Sequence, residues 1–223
     1  MHVPHETWEQ KAARACMVSE QIECRGIHDP RVLEAMRTLP RHIFVAPDLW
    51  PQAYRDCPLP IGEEQTISQP YIVGYMLQML TIEPQHRVLE IGSGTGYQAA
   101  LLGMLAAEVF TVERNAVLAA AAERNMRELG LANVNVVTGD GSRGLPEHAP
   151  YDRIIGAATA PDVPLPLVQQ LVEGGRMLLP LGDAFEQWLY LVRKTNGQPS
   201  LNKIAAVRFV PMVGEAANPP PHN

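Results

Sequence analysis

The stretch Arg87-Val88-Leu89-Glu90-Ile91-Gly92-Ser93-Gly94-Thr95-Gly96-Tyr97 limits what this chain can fold into more than any other part of it. A short apolar run suited to a buried parallel strand carries one acidic residue, turns on three glycines and passes into the apolar segment Gln98 to Leu105, so the pattern is strand, tight turn, helix. Glycine lets a backbone come close to a ligand, or to a neighbouring element, where a Cβ would collide. The helix start adds unpaired N–H groups. The spacing separates ligand classes. A dinucleotide turn, G-x-G-x-x-G, would put its third glycine where Tyr97 stands, whereas this chain reads G-x-G-x-G after Glu90. No Gly-Lys-Ser/Thr follows, which excludes a phosphate loop.

The rest of the chain supplies a setting for that turn. Its 223 residues suffice for one large α/β domain with a small extension. With 18 basic against 24 acidic side chains, a net charge of −6, no global field holds a polyanion, so nucleic acid is not an expected partner. Three cysteines, Cys16, Cys24 and Cys57, form no C-x-x-C pair and read as free thiols of a reducing compartment. The N-terminus lacks the layout of a signal peptide, and no apolar run approaches the ~18 residues of a membrane span, so a cytoplasmic protein without membrane contact is expected. The seven histidines, including His28, His42, His86 and His148, have no metal-ligand spacing, and no G-x-S-x-G elbow surrounds Ser93 or Ser142.

In order, about Trp8 to Leu39 reads as a helical pair broken near Gly26 and Asp29-Pro30. Arg41 to Val45 suits a short strand or turn, and the prolines from Pro47 to Pro60 keep the chain irregular as far as Gly62, a length usual for a functional segment or a linker. Pro70 opens an apolar helix from Tyr71 to Leu80, with Ser68 or Gln69 as its cap. From Val88 onward strands and helices alternate, as in a parallel sheet covered on both faces. Strands are expected at Val88–Ile91, Val109–Glu113, Val134–Val137, Tyr151–Ile155, Gly175–Pro180 after a turn at Gly174-Gly175, Trp188–Val192 and Val207–Val210. Between them, a helix from about Asn115 stops at Gly130. Glu90, Glu113 and Asp140 then gather at one sheet edge, where open α/β folds bind ligands, and Glu113 at the end of the second strand is placed to accept ribose hydroxyls.

Several stretches together resemble one family. The element E-x-G-x-G-x-G after an apolar strand is similar to the first motif of class I S-adenosylmethionine (SAM) methyltransferases. The text Arg25-Gly26-Ile27, Pro40-Arg41-His42, Pro58-Leu59-Pro60-Ile61-Gly62, Gln65-Thr66-Ile67-Ser68-Gln69-Pro70, Gly139-Asp140-Gly141, Gly174-Gly175-Arg176-Met177-Leu178-Leu179-Pro180 and Val207-Arg208-Phe209-Val210-Pro211 resembles the protein-L-isoaspartate (D-aspartate) O-methyltransferases, with coverage from about 14 to 214. The resemblance implies a doubly wound, Rossmann-like, mostly parallel seven-stranded sheet with an N-terminal helical extension. It divides the chain into a substrate-side region at 1–80, a SAM-binding core at 81–214 and a flexible tail at 215–223. It implies methyl transfer from SAM, leaving S-adenosyl-L-homocysteine, to the α-carboxylate of L-isoaspartyl and more weakly D-aspartyl residues in damaged proteins, by a monomer without metal. It assigns Ser68 to the active site, and Glu90, Gly92, Ser93, Gly94, Thr95, Gly96, Tyr97, Glu113, Arg114, Asp140 and Gly141 to the cofactor, the last two at the adenine. Thr66, Ile67, Ser68, Gln69, Val207, Phe209 and Val210 are assigned to the substrate.

Ser142 replaces the tryptophan common after Gly-Asp-Gly, Tyr71 stands where that family often has histidine, and Thr159 varies an alanine-rich loop; these bear on substrate preference. A carboxyl methyltransferase with one dedicated peptide or small acid, and a non-catalytic SAM-binding adaptor, are the competing readings. A nucleic-acid methyltransferase would need a basic surface and a flipping pocket, and the sequence shows no Lys/Arg run.

Overall fold

The computed structural model describes residues 6–217. Helix α1 (Trp8–Cys16) starts in a capping box in which Thr7 and Gln10 satisfy each other's backbone N–H. It runs without a break into a π turn (Met17–Ile22) and a 3-10 turn that ends at left-handed Gly26. Helix α2 (Pro30–Thr38) has Pro30 at its first position and Asp29 as its cap. A 3-10 turn at Arg41–Phe44 and another at Pro47–Gln52 follow, then a small antiparallel hairpin, β1 (Leu59–Gly62) and β2 (Gln65–Ile67). The proline-rich segment is thus less irregular than its composition implies, because Pro47 suits a helical first turn and Leu59 can pair with Ile67.

Helix α3 (Pro70–Leu80) begins as expected, but neither Ser68 nor Gln69 caps it with a side chain. Asp56 does so from fourteen positions earlier in the chain than Pro70 (70 − 56), its Oδ1 accepting from Tyr71 N at 3.3 Å while Oδ2 accepts from Gln69 Nε2 at 2.7 Å. Next come β3 (Arg87–Ile91), α4 (Tyr97–Leu105), β4 (Glu108–Glu113), α5 (Ala116–Leu129), β5 (Val134–Thr138), β6 (Tyr151–Gly156), α6 (Leu165–Gln170), β7 (Leu171–Gly182), β8 (Gln187–Thr195) and β9 (Gln198–Ala206). The seven strands of the main sheet lie in the order β5-β4-β3-β6-β7-β8-β9, parallel through β7 and antiparallel at β7-β8-β9.

Two strand expectations change. Gly174-Gly175 is not a turn before a strand but a bulge inside β7, where the pairing jumps from Tyr151↔Leu171 to Arg153↔Arg176. Val207–Val210 is extended but outside the sheet; the seventh strand is the stretch before it, Gln198–Ala206, joined to β8 by the left-handed pair Asn196-Gly197. That strand is an exposed edge and so carries little of the apolar signal of a buried one.

The N-terminal region shares a core with the sheet. Met17, Ile22, Met36 and Leu39 pack in one buried cluster with Leu77 and Leu80 of α3, Leu101 and Leu102 of α4, and Val88 and Val109 of the strands. The opposite sheet face buries Leu89, Phe110, Ile154, Leu179 and Val192 with Leu167 and Val168 of α6. Of the expected tail, Glu215 to Ala217 pack on the body, Ala217 fully buried, while 218–223 lie outside the described residues. No helix among the described residues is long and apolar enough to cross a membrane.

Candidate active site

Strand β3 has β4 on one side and β6 on the other, so the strand order reverses at its carboxyl end, and a crevice is expected there. A cavity of about 440 Å³ occupies it. Its floor and walls are Ile91, Gly92 and Gly94 after β3, Val112 to Asn115 at the end of β4, Gly141 and Ser142 beyond β5, and Ala157 and Ala158 beyond β6. Glu63, Gln65 and Thr66 of the β1-β2 hairpin and Val210 to Val213 close it from above.

The glycine turn serves both uses open to it. Gly92 and Gly94, at φ +88° and +54°, line the cavity, and a Cβ on Gly94 would come within 2.8 Å of Ile61 Cδ1. Gly96, at φ +95°, does not line it; a Cβ there would meet Met126 and Ala122 of α5, so this glycine lets two helices pack. Asn125 of α5 steadies the turn by donating to Thr95 O at 2.9 Å. Thr95 Oγ1 in turn donates to Phe44 O at 2.7 Å, which fastens the turn to the N-terminal region.

Glu113 is held by the main chain around it. Its Oε2 accepts from Gly94 N at 2.9 Å and its Oε1 from Asn115 N at 3.0 Å, which fixes the carboxylate in the cavity wall while each oxygen keeps lone-pair capacity for a vicinal diol. Asp140 is differently used. Its Oδ1 accepts from Ser142 N and Ser142 Oγ, and its Oδ2 from Glu215 N at 2.8 Å, while Ser142 Oγ accepts from Ala216 N at 3.0 Å. Burial pushes the Asp140 carboxyl up, but the bonds from Glu215 and Ser142 outweigh it and hold the group below the usual range. Ser142 thus helps pin the C-terminal segment along the cavity, with Gly214 so close to Asp140 Oδ1 that a Cβ would reach 2.0 Å.

A narrower cleft of about 40 Å³ opens beside the first and shares Thr66, Gly92 and Gly94 with it. Ile67, Ser68, Ser93, Thr95, Tyr97 and Gln98 also line it, with Ile61 and Val73 as apolar walls. Gln98 is a site candidate that sequence reasoning misses; its signal is a polar residue on the otherwise apolar, buried helix α4. Gln69, Val207 and Phe209 line neither space: Gln69 is turned to Asp56, and Val207 and Phe209 donate their N–H groups to Gln187 O and Oε1. Of that segment Val210 reaches the cavity.

Several buried polar atoms around this cleft lack a partner among the described residues: Glu90 Oε1, Tyr97 Oη, Gln98 Nε2 and Arg41 Nη1. Arg41 is fully buried 5.2 Å from the Tyr97 ring centroid, and burial lowers its guanidinium to about 10. Glu90 accepts from Thr111 Oγ1 at 2.5 Å. Burial raises its carboxyl from 4.5 to about 7, with Thr111 and Gln98 opposing and Glu113 adding to the rise.

The folded chain therefore holds a proton on Glu90 up to about pH 7 that the unfolded chain releases near 4.5. Stability falls as pH rises through that window, by roughly 3 kcal/mol once above it. Glu90→Gln removes this loss, so urea unfolding of the ligand-free protein should show the variant gaining on the parent from pH 4.5 to 7.5. A difference in unfolding free energy that stays flat with pH would contradict a buried, proton-holding Glu90.

Among the described residues no three His, Cys, Asp or Glu side chains gather as for a metal ion. The site instead joins a carboxylate held by two main-chain N–H groups, a glycine-lined floor and a hydroxyl-bearing cleft. The model of the protein-L-isoaspartate(D-aspartate) O-methyltransferases matches residues 12–217. The protein-L-isoaspartate O-methyltransferase of Koribacter versatilis is 53% identical over 207 residues, 93% of either chain. Protein-L-isoaspartate O-methyltransferase 1 of Syntrophobacter fumaroxidans is 49% identical over 203 residues, 91% of this chain and 95% of the relative. A solved protein-L-isoaspartate O-methyltransferase superposes with a TM-score of 0.81 at 30% identity, over 93% of this chain and 67% of that one. A Plasmodium falciparum protein crystallised with S-adenosyl-L-homocysteine shares the fold, with a TM-score of 0.78 at 24% identity over 90% of this chain and 98% of that one. With residues 12–217 matched, and its glycine turn, the Glu113 carboxylate and the Thr-Ile-Ser loop brought to one crevice, the chain belongs to the protein-L-isoaspartate(D-aspartate) O-methyltransferase family.

Proposed function

We infer that this chain methylates the α-carboxylate of L-isoaspartyl residues in damaged proteins and peptides with SAM as donor, which starts their return to normal linkage through a succinimide. The single observation that carries this is the pair of joined spaces: a large one suited to an adenosyl group and a small one, bearing Ser68, that meets it over Gly92 and Gly94.

The residues fit the cofactor. Glu113 offers both oxygens on the cavity wall, Ile91, Val112 and Met212 offer apolar faces, Gly141 lies so near Ile91 that a Cβ would reach 2.7 Å, and polar atoms stand unpartnered beneath the smaller cleft. We assign Glu113 to the ribose, Asp140 and Gly141 to the adenine, Arg114 to the cavity wall beside them, and Glu90 with Gly92 to Tyr97 to the methionine side. When bound, SAM supplies a methyl carbon made electrophilic by a sulfonium.

The chain's own residues have positioning to do. A carboxylate with pKa near 4 is already an anion at pH 7, so no side chain has to remove a proton to make the nucleophile. Ser68 donates to the carboxylate and holds it in line with the methyl; Thr66 and Ile67 fix the loop that carries Ser68, and Val210 closes the far side. Rate then comes from proximity and orientation. The described part of the 1–80 region forms the peptide-facing side, its β1-β2 hairpin reaching over the cofactor cavity, and 81–214 forms the cofactor core. A cytoplasmic setting is supported by three free cysteines, and a monomer by exposed large apolar residues that each stand on a different segment, such as Trp8, Val117 and Phe185. Ser142, Tyr71 and Thr159 are the positions where peptide preference should depart from that of relatives.

Chromatography of an isoaspartyl peptide incubated with protein and SAM tests the repair reading: the peptide should decline over repeated cycles as its aspartyl isomer accumulates. Methylation without any aspartyl product would favour a dedicated substrate instead.

A further inference from the structure

The turn of the β1-β2 hairpin is unusual in its chemistry. Gly62, Glu63 and Glu64 have φ of +87°, +52° and +58° in succession, and the last two carry side chains in a region that glycine or asparagine normally fills. Strain of this kind persists only where other contacts over-determine it. Here the contact is visible: Glu63 Oε2 accepts from Asn115 Nδ2 at 2.9 Å, and both residues line the larger cavity. The bond therefore links the overhanging hairpin to the opposite wall.

Asn115 is the junction of three elements. Its main-chain N–H donates to Glu113 Oε1, its Oδ1 accepts from Val117 N and Leu118 N at the start of α5, and its Nδ2 is left for Glu63. One residue thus steadies the carboxylate assigned to the ribose with its main chain, while its side chain caps a helix and holds the hairpin down.

Resting on the methyltransferase reading, we propose that Glu63 and Asn115 are a positioning pair that keeps the β1-β2 hairpin closed over the ribose side of bound cofactor and sets how readily spent cofactor leaves. Neither residue touches the reacting atoms. Their effect is on cofactor retention and, through Thr66 in the same hairpin, on the alignment of the Ser68 loop.

The pair allows a polarity swap. Asn115→Asp keeps a good helix cap but sets a second carboxylate against Glu63. Glu63→Gln alone keeps an acceptor for Asn115, and together with Asn115→Asp it supplies a donor that restores the bridge in reverse. Calorimetry with S-adenosyl-L-homocysteine on the full chain should show Asn115→Asp weakening binding about fivefold to tenfold. Glu63→Gln should stay within about twofold of the parent, and the double variant should return to within about twofold. Glu63→Ala, which leaves the helix cap alone, should weaken binding about fivefold, with faster product release and a raised KM for SAM rather than a lowered kcat. If the double variant is no better than Asn115→Asp, or if Glu63→Ala binds as the parent does, the bridge has no such role. If the parent itself does not bind S-adenosyl-L-homocysteine, the cofactor reading fails instead.

Discussion

Glu113→Ala should weaken SAM binding by about a hundredfold or more and leave kcat at saturating SAM within about fivefold of the parent. The carboxylate now accepts from Gly94 N and Asn115 N and is buried in the cavity wall, 6% exposed. With Glu113 assigned to the ribose, alanine removes two bonds to its hydroxyls and leaves two main-chain donors unpaired. Hydrogen bonds to a charged group are worth about 1.5–3 kcal/mol each, so two of them exceed the ~2.7 kcal/mol of a hundredfold change. Glu113→Gln should fall between, because its amide NH₂ must face one of the two main-chain N–H groups. Calorimetry with SAM and S-adenosyl-L-homocysteine reads this directly, and binding unchanged in the alanine variant would remove Glu113 from the ribose. Because the ribose hydroxyls take no part in the bonds made and broken, the loss belongs in KM for SAM and not in turnover.

Ser68→Ala should do the reverse. One hydrogen bond to an ionised carboxylate is lost at the reacting end of the substrate, so kcat/KM for an isoaspartyl peptide should drop by about tenfold to a hundredfold while SAM binding stays within about twofold. Ser68 sits in the two-residue link between β2 and α3 and gives α3 no side-chain cap. Its removal should therefore leave the thermal midpoint nearly unchanged. Equal losses in SAM affinity and in turnover would make Ser68 part of the cofactor floor instead of the substrate clamp.

Much of the fold can be read from the sequence because the local signals agree with one another. The glycine turn, the carboxylate ending β4 and the Asn115 and Gly130 boundaries of α5 all fall where spacing alone puts them. The edge of the sheet is harder. Val207–Val210 is apolar and partly β-branched, yet the strand is the more polar Gln198–Ala206, one face of which meets water; the stronger local mark is the Asn196-Gly197 turn that closes the hairpin. The site divides in the same way. Glu113, Gly92, Gly94, Gly141, Thr66 and Ser68 are within reach of motif reading because each lies at a strand end or in a short loop. The Glu63–Asn115 bond and the Asp140-Ser142 clasp on the C-terminal segment are not, since their partners lie far away in the chain. Asp56, which caps α3 and turns Gln69 away from the cleft, is of the same kind.

Methyl transfer from labelled SAM to two peptides that differ only in carrying an isoaspartyl or an aspartyl linkage, read as base-labile methanol, decides whether the chain recognises the damaged linkage. Transfer to the isoaspartyl peptide, none to its aspartyl twin, and loss of the signal with Ser68→Ala are expected. Binding of SAM without transfer to either peptide, or equal transfer to both, would contradict such recognition.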